Sequence, residues 1–142
     1  HKSNVRLRVI GHKEDLPKKN KKAIKKAEKL TENNTSGILN LAINYGGRQE
    51  LVDVFNKILS SRGGPPKKIS EDLISKNIYN AGFPEPDLII RTSGELRLSG
   101  FLLWESAYSE LYFTEHHWPE FSKKDFNNAL KSFATRERRF GG

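Results

Sequence analysis

Three short apolar runs, each halted by a polar turn, leave this chain few folds to choose from. Val5–Ile10 alternates apolar with basic residues and stops at Gly11. Ile38–Ile43 is almost continuously apolar and stops at Asn44-Tyr45-Gly46-Gly47-Arg48. Asp87-Leu88-Ile89-Ile90 stops at Arg91. The first run reads as an alternating strand, the other two as strands buried on both faces. Helices fill the gaps. After Pro17, Ala23, Ile24, Ala27 and Leu30 recur at helical spacing with lysines opposite, and Leu51, Val52, Phe55, Ile58 and Leu59 share a face of the next helix. Ser70 is an N-cap followed by Glu71 and Asp72, and Ser122 is another, with Asp125 at the third helical position and Phe121 placed to staple to Phe126. Phe101–Tyr108 is expected to be helical and Glu110–Phe113 a short strand. Strands alternating with helices predict an α/β fold, a largely parallel sheet flanked by helices, in one domain spanning 1–142.

Composition removes several classes of function. There is no cysteine, hence no disulfide framework, thiolate metal site or cysteine nucleophile. That suits a reducing compartment. No apolar run approaches the ~20 residues that cross a bilayer, and no secretory signal is present. The chain starts at His1 and has no methionine, so it is expected to be a piece of a longer product. The net charge of +8 is local: residues 1–30 hold 11 of the 25 basic and 3 of the 17 acidic residues, and the rest is balanced. Seven lysines lie between Lys18 and Lys29, with Glu28 the one acid among them. A solvated helix face is the favoured account. An anionic membrane surface and nucleic acid are the alternatives, the latter weakened by the absence of interleaved aromatics.

In a parallel sheet, ligands bind beyond the carboxyl ends of the strands. The richest such turn is Arg91-Thr92-Ser93-Gly94-Glu95-Leu96-Arg97-Leu98-Ser99-Gly100. Guanidinium forks, hydroxyls and backbone amides together suit a diphosphate. A polar turn whose arginines pair with nearby acids uses the same residues, and the sequence leaves the two readings level. Glu95, Glu105 and Glu110 lie close in sequence, and Mg²⁺ needs only one or two carboxylates beside substrate phosphates. A solvated or arginine-paired role is favoured for Glu105. Glu110 opens an apolar strand and is the better candidate. For Asn44–Arg48 a backbone need for two glycines is favoured over anion binding, and for His116-His117 a surface loop over a metal site. No Walker loop, dinucleotide glycine motif or aspartate-rich D-D-x-x-D is present.

The stretch Pro86–Trp104, together with Ala107–Phe113, Trp118-Pro119 and the terminal Arg138-Arg139-Phe140-Gly141-Gly142, closely resembles the signature of the cis-prenyltransferases. Asn4-Val5-Arg6-Leu7 and Asn44–Arg48 fit the same pattern in the same order. The resemblance implies an incomplete layered domain, the carboxyl-terminal part of a Mg²⁺-dependent catalytic domain. Such an enzyme condenses isopentenyl diphosphate repeatedly onto farnesyl diphosphate to make a long polyprenyl diphosphate carrier lipid. By family position Arg91, Arg97 and Ser99 would grip the diphosphate of isopentenyl diphosphate, with Leu98 contributing backbone, and Glu110 would help hold Mg²⁺. A cytoplasmic homodimer is implied, with peripheral contact at the inner face of the membrane and no nucleic-acid partner. The terminal Arg-Arg-Phe-Gly-Gly would reach toward the partner's site. The family's H-x-M-D-G-N-x-R-W motif is absent, and with it the catalytic aspartate, so the chain is expected to be inactive alone. Gly100 stands where the family usually has asparagine, which removes one side-chain bond near the loop. The competing readings are a non-catalytic partner subunit of the same fold and a basic nucleic-acid-binding module.

Overall fold

The computed structural model describes residues 2–136, which gather into two compact units divided between Gly82 and Phe83. The terminal Arg138–Gly142 segment lies outside the described residues.

In the first unit, β1 (Val5–Ile10) runs parallel to β2 (Gly37–Ala42), in register from Val5 against Gly37 to Ile10 against Ala42. The crossover between them is α1 (Lys18–Thr31). Residues 6, 8 and 10 of β1 turn their peptide groups toward β2, so residues 5, 7 and 9 face the other edge. That edge is capped by side chains. Leu7 N–H donates to Thr31 Oγ1 (3.0 Å), Val9 N–H to Glu28 Oε1 (2.9 Å), and Asn34 Nδ2 donates to Val5 O (2.8 Å). A buried polar backbone must find such partners, and here the helix provides them. Val9 and Ile10 are buried, as are Val54 and Ile58 of α2 (Gly47–Leu59), Ile74 of α3 (Glu71–Ser75), and Ile78.

Two expectations are corrected here. β2 is not covered on both faces: Ile38, Leu39 and Leu41 are 46%, 50% and 39% exposed. Among the described residues it pairs with β1 alone. The buried stripe of α2 is also displaced, to Gly47, Glu50, Val54 and Ile58, leaving Val52, Phe55 and Leu59 exposed. The polar Glu50 takes a core position because it is fully hydrogen-bonded, as described below.

In the second unit, β3 (Leu88–Arg91) runs parallel to β4 (Glu110–Phe113), Leu88 against Glu110 and Arg91 against Phe113. The expected parallel pairing is thus present in both units, each with two strands. The last helix, α4 (Lys123–Ala134), packs on β4 and buries Ala129 completely. Its start is the one read from sequence. Ser122 Oγ accepts from Asp125 N–H (3.4 Å) while Ser122 N–H donates to Asp125 Oδ2 (2.8 Å). Ser70 likewise accepts from Leu73 N–H at 3.2 Å. Phe101–Tyr108 is a chain of turns rather than the expected helix. Ser99, Gly100 and Leu102 have φ of +51°, +77° and +46°, left-handed values that a right-handed helix cannot include.

Candidate functional site

The loop after β3 is pinned to the segment after β4. Ser93 N–H donates to His116 O (2.8 Å), Gly94 N–H to Thr114 O (2.9 Å), and Thr114 N–H to Arg91 O (2.9 Å). Ser93 and Gly94 have φ of +78° and +71°, and this reversal turns the chain sharply off the strand end. The Ser93 and Gly94 amides are therefore spent on the fold.

Arg91 Nη1 donates to Ser99 Oγ (3.0 Å) and to the carbonyl of Arg97. Three of the sequence-predicted residues, Arg91, Arg97 and Ser99, thus meet in one hydrogen-bonded cluster. Leu98 joins Arg91, Thr92, Ser93 and Phe101 in lining a cavity of about 340 Å³. The Arg97 guanidinium is ion-paired with Glu95, and both side chains are substantially exposed. The polar-turn reading is therefore realised for Arg97. The Glu95 carboxylate occupies the fork that a phosphate oxygen pair would take. An exposed pair of this kind is worth at most about 1 kcal/mol, so a dianionic phosphate can displace it. Gly100 has open space around its Cβ position, and asparagine tolerates its left-handed φ. The glycine there removes a side chain without reshaping the loop.

Glu110 is not brought to this cluster. It pairs with Leu88 at the start of the strand pair, whereas Arg91 sits at its end, roughly 10 Å along the strand. Its Oε2 accepts from Arg136 Nη1 at 2.6 Å, and the same guanidinium nitrogen donates to Leu111 O (2.9 Å). No group of three or more metal-ligating side chains occurs among the described residues. One carboxylate held by an arginine does not by itself make a Mg²⁺ site. Glu105 is buried, at 3% exposed, rather than solvated. His116 pairs with Asp125 (3.2 Å), and His117 caps the short turn at Trp118–Glu120. The Asp125 pKa is lowered by its Ser122 hydrogen bonds and then by His116.

The first unit holds a second polar cluster, at the carboxyl ends of β1 and β2, that sequence reasoning missed. His12 N–H donates to Asn44 O (3.1 Å) and Asn44 Nδ2 returns a bond to His12 O (3.1 Å). His12 Nε2 lies 2.7 Å from Asp53 Oδ2, an oxygen that also accepts from Tyr79 OH. Glu50, 1% exposed, accepts from Tyr45 OH (2.5 Å) and from Tyr79 N–H (2.7 Å). Burial opposes ionisation of Asp53, but hydrogen bonds from Tyr79 and Gln49 and the nearby His12 outweigh it and hold its pKa low. Burial, then the bond to Asp53, pushes the Tyr79 phenol well above its ordinary value. Gly11-His12 was visible as a strand end. Nothing local pointed to Asp53 or Tyr79, because the partners lie 26 or more positions apart. The left-handed residue in the Asn44–Arg48 turn is Asn44 (φ +50°), and Gly46 is extended at −153°. The expected need for two glycines is not seen at Gly46.

The fold and the arginine–serine cluster describe an α/β protein of parallel strand pairs with a cationic loop at one strand's carboxyl end. The family model described as "Putative undecaprenyl diphosphate synthase" matches residues 1–141, and the chain belongs to this prenyltransferase family. An isoprenyl transferase of Thermus thermophilus is 51% identical over 144 residues, covering 96% of this chain and 55% of the relative. A Methanocaldococcus jannaschii protein named tritrans,polycis-undecaprenyl-diphosphate synthase (geranylgeranyl-diphosphate specific) is 49% identical, covering 99% and 52%. Among solved structures, a probable undecaprenyl diphosphate synthase from Campylobacter jejuni is 34% identical with a TM-score of 0.87, covering 99% of this chain and 65% of that one. The lavandulyl diphosphate synthase of Lavandula x intermedia, in complex with dimethylallyl diphosphate, is 36% identical with a TM-score of 0.89, covering 97% and 61%. The chain spans little more than half the length of the curated relatives it matches.

Proposed function

We propose that the protein carrying this chain condenses isopentenyl diphosphate onto an allylic diphosphate with cis geometry, building a long polyprenyl diphosphate. The observation that carries the reading is the Arg91–Ser99 hydrogen bond, which closes the loop around the Arg97 carbonyl at the end of β3. Arg91, Arg97 and Ser99 bind the diphosphate of isopentenyl diphosphate, and Leu98 shapes the cavity beside it. Holding that diphosphate orients the double bond toward the allylic carbon, so the loop contributes positioning rather than covalent catalysis. Charge builds on the departing diphosphate, and fixed cations and donors stabilise it. Farnesyl diphosphate is the primer proposed. One relative's name specifies geranylgeranyl diphosphate and one similar solved structure holds dimethylallyl diphosphate, so these are the alternative allylic diphosphates to test.

The proposal includes Mg²⁺ dependence, homodimerisation and a cytoplasmic location. Glu110 is the ligand offered for the metal. Its carboxylate would exchange Arg136 for the ion, and no chemical step is drawn through it. The proposal also holds that these 142 residues turn over no substrate by themselves, because the motif carrying the family aspartate is not among them.

The test is incorporation of labelled isopentenyl diphosphate into butanol-extractable product by the protein at family length, primed with farnesyl diphosphate. Incorporation abolished by EDTA is expected. Arg97→Ala should lower kcat/KM for isopentenyl diphosphate at least ~100-fold, about 2.7 kcal/mol. No incorporation by folded protein would replace this reading with that of a non-catalytic partner subunit.

A further inference from the structure

The lysine face of α1 is left unused by the catalytic reading. At 100° per residue, Lys21, Lys25, Lys18, Lys29, Lys22, Lys26 and Lys19 fall in that order along one unbroken arc of the helix. All seven are exposed. Of these, Lys29 pairs with Glu32 (2.6 Å) and Lys21 donates to Glu14 O (2.9 Å). Lys18, Lys19, Lys22, Lys25 and Lys26 have no carboxylate within ion-pair distance among the described residues.

Glu28, the one acid in α1, does not neutralise the arc. It turns inward to accept from Val9 N–H (2.9 Å), with Lys13 at 3.7 Å. That bond and the one between Thr31 and Leu7 fix the helix along the edge of β1. The arc is therefore held in one orientation and not free to roll. Beside it, a cavity of about 670 Å³ opens between α1 and β1, lined by Arg6, Arg8, Lys22, Lys25, Lys26 and Lys29 together with Leu7 and the acids Glu28 and Glu32. Burial and then the neighbouring Arg6 charge lower the Arg8 pKa. Glu28 offsets part of that charge, and the cavity's six cations still outnumber its two acids. Leu30, 59% exposed, borders the arc next to Lys19 and Lys26.

We infer that α1 and this cavity form a docking surface for an anionic phospholipid bilayer, with headgroup phosphates in the cavity and Leu30 at the acyl boundary. Clustered basic residues on an amphipathic helix suit such a surface. The arc carries no aromatic side chain on which bases could stack, so a lipid surface fits it better than nucleic acid. The inference goes beyond the catalytic reading and stands without it.

The experiment is co-sedimentation of the full chain with vesicles of phosphatidylcholine containing phosphatidylglycerol, against phosphatidylcholine alone, in the absence of substrate. Binding to the anionic vesicles only, falling with salt, is expected. At about fivefold per lysine near the surface, the combined Lys18→Gln, Lys22→Gln, Lys25→Gln and Lys26→Gln variant should lose at least ~100-fold in partitioning. The four corresponding Lys→Arg changes should retain binding, which separates charge from misfolding. Equal binding to neutral vesicles, no binding to anionic ones, or an unaffected Gln variant would overturn the inference. So would displacement by millimolar pyrophosphate, which would assign the cavity to a soluble diphosphate, or tighter binding to duplex DNA at the same salt.

Discussion

Replacing Gly11 with alanine tests how tightly the first polar rim is built. Gly11 has φ +107°, and a Cβ there would lie 2.3 Å from Ile43 O and 3.0 Å from Asn44 O. Both obstacles are backbone, so no rotamer change relieves them. The left-handed conformation alone costs an L-residue about 1–2 kcal/mol. Separating the two turns also weakens His12 N–H to Asn44 O (3.1 Å) and Ile43 N–H to Ile10 O (3.0 Å), each worth about 1 kcal/mol. The sum is about 2–4 kcal/mol, a large share of the ~5–15 kcal/mol that holds a domain together. Gly37→Ala is the matched control. It lies at the start of β2, nothing approaches its Cβ position, and its φ is not positive, so it should be neutral or stabilise by about 0.4–1 kcal/mol. Urea unfolding followed by circular dichroism and linear extrapolation measures both. A Gly11→Ala loss under about 1 kcal/mol, or an equal loss for Gly37→Ala, would refute the reasoning.

Glu110→Gln should shift the Mg²⁺ titration of isopentenyl diphosphate incorporation to higher metal concentration, and an unchanged curve rejects Glu110 as a ligand. The low Asp53 pKa makes its stabilising contribution fully present above the unfolded carboxylate value of about 3.9, and lost as pH falls through the lower folded value. Asp53→Asn should therefore melt below wild type at neutral pH, the gap narrowing below about pH 4. A constant gap would mean the carboxylate charge is irrelevant. Ser122→Ala should cost about 1 kcal/mol by uncapping α4, read from thermal melting, and no change would show that the reciprocal bonds carry no net stability.

Legibility in the sequence followed the range of the interactions. The Ser70 and Ser122 caps span three residues and were readable from local pattern. The loop's Arg91, Arg97 and Ser99 lie within nine positions of one another, and Arg91 meets Ser99 and the Arg97 carbonyl, while the Arg97 side chain pairs with Glu95. The burial of β2 was not readable, because an apolar run reports what a strand's environment should be and not whether the present residues provide it. Phe101–Tyr108 carries helical apolar spacing, yet Leu102 adopts a left-handed φ that no propensity flags. The His12–Asp53–Tyr79 cluster depends on three elements converging, and each residue taken alone is an unremarkable polar side chain. Glu110 opens an apolar strand as expected, and in the structure its carboxylate takes the arginine-paired role that stood as the alternative to a metal. Arg136, its partner in space, lies 26 positions away.

The side-chain capping of β1 gives the first sheet a direction of growth. Thr31, Glu28 and Asn34 engage the Leu7 and Val9 amides and the Val5 carbonyl on the outer side of β1, so a further strand there would have to displace them. Beside β2 the backbone and its flanking Ile38, Leu39 and Leu41 remain open. A strand joining this sheet meets less obstruction on that side, and the same edge is where self-association would begin.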